Sequence, residues 1–80
     1  MNKELMIPPG DTIKELLEQN NLNVNDLTSF LGFTKTEMRD LLSGSIAIDN
    51  RIATCLQDFF GIEKSFWLNL ERIYKEERVG

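Results

Sequence analysis

Three glycines divide this chain into short pieces: Gly32, Gly44 and Gly61 each follow a run of apolar residues spaced three and four apart. A helix-starting residue precedes each run. Asn23 stands before Leu27, Phe30 and Leu31, Thr34 before Met38, Leu41 and Leu42, and Asp49 before Ile52, Cys55, Leu56, Phe59 and Phe60. Side-chain oxygens of Asn, Thr and Asp accept the unpaired amides of a first helical turn, and glycine takes the left-handed backbone that closes the last one. This punctuation predicts three consecutive short helices.

The flanks continue the pattern. Ile13, Leu16 and Leu17 mark one face of a helix over about residues 11–20, with Thr12 and Glu15 spaced as a capping box. An extended lead over residues 1–10, ending in Pro8-Pro9-Gly10, precedes it. Between the third and fourth helices, Ser45-Ile46-Ala47-Ile48 is too short for another helix and buries Ile46 or Ile48. A last helix is expected over about 64–78. The fold class is all-α, five helices and no sheet, in one domain spanning residues 1–80.

Composition narrows the function. No run approaches the ~20 apolar residues of a membrane span, and Met1 to Gly10 breaks at a double proline where a secretory leader would continue. A cytoplasmic location and no membrane partner are expected. The chain has no His and one cysteine, Cys55, which excludes an internal disulfide and is expected as a small buried hydrophobe. With no carboxylate pair in a plausible cleft, the usual acid–base and nucleophile sets are missing, so no enzyme, no metal site and no cofactor is expected. The net charge is −4, from 9 bases and 13 acids, and in no quarter of the chain do bases outnumber acids. That balance opposes phosphate binding, the main source of affinity for DNA.

The junction of the second and third helices carries the strongest motif, a helix-turn-helix over about residues 24–43. Gly32 permits the left-handed turn, Phe33 plugs the corner, and Met38 and Leu41 set the crossing. Glu37, three residues after Thr34, completes a reciprocal capping box and meets the positive end of the helix dipole. Its acidity therefore has a structural use.

The order PPGDTIKELL, glycine-turn helix pair, LLSGSIAI and FFGIEKSFWLNL, over about residues 7–75, resembles HigA-like (HigA/VapI) antidote proteins, a branch of the XRE-type helix-turn-helix family. Pro8-Pro9-Gly10 and Phe66-Trp67-Leu68-Asn69-Leu70 are the parts specific to that branch. The resemblance implies a lambda-repressor-like domain and a dimeric antitoxin that binds a small basic ribonuclease toxin and represses its own operon. It places Lys35, Thr36, Arg39, Asp40 and Ser43 toward the bases of operator DNA. Asn23, Thr34, Ser45 and Arg51 are candidate phosphate contacts. Chemically, Lys suits guanine O6 or N7, Thr a thymine methyl, and Asp the cytosine N4 amine. The chain departs from the pattern at Val24, where many relatives have glutamine, at Thr28, where alanine is commoner, and at Ser45 and Ile46, where a basic residue is usual.

Six large apolar residues between Phe66 and Tyr74 exceed one helical face. Phe66, Leu70 and Ile73 are expected in the core, and Trp67 or Tyr74 remains for a subunit contact. The candidate homodimer interface is Phe66, Trp67, Leu70 and Tyr74. Two functions stand together at this point: a DNA-binding regulator of antitoxin type, and a helix-turn-helix-fold interaction module with weak or lost DNA binding. The second uses the acidic surface to hold a basic partner.

Overall fold

A computed structural model describes residues 8–79. Residues 1–7 of the expected lead lie outside the described residues. Five α-helices follow in chain order: α1 Pro9–Gln19, α2 Val24–Leu31, α3 Lys35–Ser43, α4 Asn50–Phe60 and α5 Lys64–Val79. Among the described residues there is no strand.

The three capped starts form as the sequence predicts. Asn23 Oδ1 accepts the Asn25 amide at 2.9 Å, Thr34 Oγ1 the Glu37 amide at 3.1 Å, and Asp49 Oδ1 the Ile52 amide at 2.9 Å. The start of α1 is a correction. Pro8 is the extended N-cap residue and Pro9 the first helical residue, so Pro9 and Gly10 belong to the first turn and Thr12 lies inside the helix. Proline suits that position because its fixed φ is already helical and the amide it lacks would have had no partner. Pro8 is held extended because it precedes a proline.

The core gathers one stripe from each helix: Ile13 and Leu17, Leu27 and Leu31, Met38 and Leu41, Ile52, Ala53 and Leu56, and Trp67, with Ile48 from the loop before α4. α4 packs most extensively against α5, and α1 against α3. Gly10 allows the second contact. A β-carbon built there would fall on the Leu42 carbonyl, so the backbones of α1 and α3 approach more closely than any larger residue permits. At Gly44, φ is +91°, and a β-carbon would lie 2.9 Å from the Tyr74 hydroxyl oxygen and 3.0 Å from the Pro8 side chain. The proline–glycine start and the last helix thus meet at the end of α3.

The apolar excess on α5 resolves differently from the sequence expectation. Trp67 is completely buried, with its indole N–H donating to the Ile62 carbonyl at 3.3 Å and its ring 5.6 Å from that of Phe60. It has no surface to give a second subunit. Phe66 and Ile73, two residues expected inside, are instead 40% and 44% exposed. Leu70 and Tyr74 are half-buried. The inward face is set by Trp67 and, one turn on, Glu71, a spacing that turns Phe66 and Ile73 outward. Cys55, also expected inside, is half-buried and carries a free thiol.

Candidate nucleic-acid interface

α2 ends at Gly32, whose φ of +72° reverses the chain. Among the described residues, its chain neighbours aside, no atom lies within 4 Å of where its β-carbon would be, so the backbone conformation asks for glycine there. Phe33 packs against the core beneath the turn. α3 then begins with a complete capping box, the Glu37 carboxylate accepting the Thr34 amide at 2.9 Å. Glu37 is therefore committed to the helix start.

With Met38 and Leu41 buried at 3% and 2% exposure, α3 must present its other side outward. Lys35, Thr36, Arg39 and Ser43 are exposed and Asp40 is half-buried. The Asp40 carbonyl accepts the Ser45 amide at 2.8 Å and the Ile46 amide at 3.2 Å, which turns the chain away after α3. Ser43 Oγ donates to the same carbonyl at 3.2 Å and lies 3.2 Å from Ser45 Oγ.

Beside this face runs an open groove of about 430 Å³ formed by three helices. Val24, Met38 and Leu42 give it an apolar floor; Asn25, Thr28 and Ser43 add small polar groups; Lys14, Lys35 and Arg39 supply cations. Among the described residues, none that lines it bears a carboxylate. Three of the chain's 9 bases thus line one groove in a protein of net charge −4, with the Asp11 carboxylate 3.5 Å from the Lys14 ammonium. Thr28 Oγ1 donates to the Val24 carbonyl at 2.8 Å, so the hydroxyl that replaces a smaller side chain is satisfied within α2.

Of the residues expected to meet DNA, the groove unites Lys35, Arg39 and Ser43. Thr36 and Asp40 share their helix but do not line it, and neither do Asn23, Thr34, Ser45 or Arg51. The side-chain oxygens of Asn23 and Thr34 serve as caps, leaving the amide group of Asn23 and the hydroxyl hydrogen of Thr34 as donors. Arg51 has a partner inside the chain: its guanidinium donates to the Leu31 carbonyl at 3.3 Å, joining α4 to the carbonyl end of α2, where a cation is favoured.

Lys14 and Asn25 escape the sequence reading. Gly10 offered the signal for Lys14, because residues four apart share a helical face. Gly10 packs against Leu42, and Lys14, one turn later on α1, lines the groove that Leu42 also lines. Nothing comparable marks Asn25.

A short helix pair with a glycine turn, an exposed second helix and a cationic groove beside it define a helix-turn-helix protein. No family model matches the chain, and no curated protein matches its sequence. Among solved structures it is similar to an addiction module antidote protein of a HigA family from Coxiella burnetii, with 30% identity and a TM-score of 0.76, over 90% of this chain and 79% of that one. The chain belongs to the HigA family of antidote proteins.

Proposed function

We propose that this protein is an antitoxin-type transcriptional regulator that binds operator DNA through α3, represses its own operon and neutralises a small basic toxin. The observation that carries the DNA-binding part is the convergence of Lys14, Lys35 and Arg39 on a groove that no carboxylate lines among the described residues, beside the exposed side of α3. Such a surface provides the phosphate neutralisation that the overall charge argues against. Similarity to an antidote protein supports the antitoxin part and a non-enzymatic role. A regulator of this kind works in the cytoplasm. No described helix is long and apolar enough to cross a membrane.

A dimer completes the reading. Paired recognition helices reach half-sites about one helical turn apart, and exposed Phe66 and Ile73 on α5 are suited to a subunit contact.

Electrophoretic retardation of the protein's own upstream DNA tests the proposal. At low salt the wild type retards that fragment in preference to a scrambled one, and Arg39→Glu does not. Equal mobility of the free and protein-treated fragments at low salt would remove the regulator reading. The second reading, an interaction module, draws on the net charge of −4 and on Phe30, 49% exposed at the end of α2. It is favoured if a basic partner is captured by a protein that retards no DNA.

A further inference from the structure

Lys14 lies on α1, outside the helix pair, yet it shares a groove with Lys35 and Arg39 of α3. Val24, the first residue of α2, lines the same groove and offers no side-chain donor. Lys14 supplies one across the gap. We infer that Lys14 is a phosphate-binding residue of the DNA surface, extending the contact from the recognition helix onto α1; the inference rests on the DNA-binding reading above.

Two neighbouring features define how it acts. Asp11 Oδ1 lies 3.5 Å from Lys14 Nζ, with both side chains about half exposed. A solvent-exposed pair of this kind is weak, so a phosphate displaces Asp11 at little cost. A second depression, which shares Lys14, Val24 and Leu42 with the groove, is lined by Glu15 and Glu18. An anion is repelled there, which confines the phosphate path to the α3 side. The occupant fitting the cationic rim is a duplex backbone, a line of anions long enough to meet Lys14 while α3 reaches the bases.

The test measures binding of the full chain to operator and scrambled duplexes across a salt series. Lys14→Ala is expected to weaken both about fivefold at 50 mM salt and to reduce the slope of log K against log salt by about 1. Lys14→Arg retains the slope, and Asp11→Asn strengthens both complexes about twofold. Amide chemical-shift mapping gives a second readout, in which duplex DNA shifts the signals of Lys14 and Asn25 as well as those of α3. Lys14 is exposed and alanine is a good helix former, so the variant retains the wild-type melting temperature.

Wild-type binding with an unchanged slope in Lys14→Ala, or shifts confined to α3, overturns this inference and leaves the DNA-binding reading intact. Groove shifts produced by an acidic peptide but not by duplex DNA assign the surface to a protein partner and also overturn it. A wild type that binds no duplex overturns both.

Discussion

Glu71, inside the last helix, accepts a hydrogen bond from the Ile48 amide at 3.1 Å, joining residues 23 apart in sequence in a buried site. Glu71 is 7% exposed and Ile48 4%. The bond fixes the loop after α3 and gives a buried amide its partner. Leaving that amide unpaired costs about 1–3 kcal/mol. Glu71→Ala is therefore expected to lower the urea midpoint by a corresponding amount, and Glu71→Gln, which keeps an acceptor oxygen, by less. Equal midpoints for Glu71→Ala and wild type would show that the bond contributes nothing.

Gly10 and Gly32 require glycine for different reasons, and alanine substitutions separate them. At Gly10 a β-carbon meets the Leu42 backbone, which cannot move without opening the α1–α3 contact. At Gly32 there is space, and only the φ of +72° resists. Gly10→Ala should cost about 1–3 kcal/mol or more through overpacking, and Gly32→Ala about 1–2 kcal/mol through backbone strain. Because Gly10 positions α1 beside α3, its variant should also weaken DNA binding at temperatures where the fold persists. A Gly10→Ala protein as stable as wild type contradicts the close approach.

The two acids of α3 should behave differently. Glu37 completes the capping box by accepting the Thr34 amide, and a hydrogen bond of this kind contributes about 0.5–1.5 kcal/mol. Glu37→Ala should therefore lower the melting temperature. Among the described residues, the Asp40 carboxylate has no hydrogen-bond or ion-pair partner, so Asp40→Asn should leave stability nearly unchanged. Removing its charge should raise affinity for scrambled DNA while lowering affinity for the operator if Asp40 accepts from a cytosine amine. Fluorescence anisotropy on both duplexes reads the difference, and a parallel rise on both assigns Asp40 to the solvated surface.

Among the described side chains of α5, Phe66 and Ile73 are the exposed large apolar ones. If the subunit contact runs over them, Ile73→Glu should convert a dimer into a monomer in sedimentation velocity without changing helical content. An unchanged dimer moves the interface elsewhere on the molecule.

The helix starts and ends were legible because capping is local: an oxygen at Asn23, Thr34 or Asp49 acts within three residues. The start of α1 was misplaced because Thr12 and Glu15 mimic a capping box, while Pro9 sets the first turn by its ring. On α5, composition could count the apolar residues but not orient them. Their direction depends on which one packs against α4, and Trp67 does so, its ring 5.6 Å from that of Phe60. The groove was invisible for a similar reason. Lys14 and Arg39 are 25 positions apart, and counting charges by segment cannot register cations that meet only when α1 crosses α3. A count of charges along the chain follows sequence order, whereas the groove is a feature of the folded surface.

Hydroxyl-radical footprinting on the protein's own promoter separates a DNA-reading dimer from a protein that only shares its fold. A dimer reading DNA through two copies of α3 protects two short segments centred about one helical turn apart, and Arg39→Glu abolishes both. A uniform cleavage pattern at protein concentrations that saturate any low-salt binding would rule out operator reading through α3.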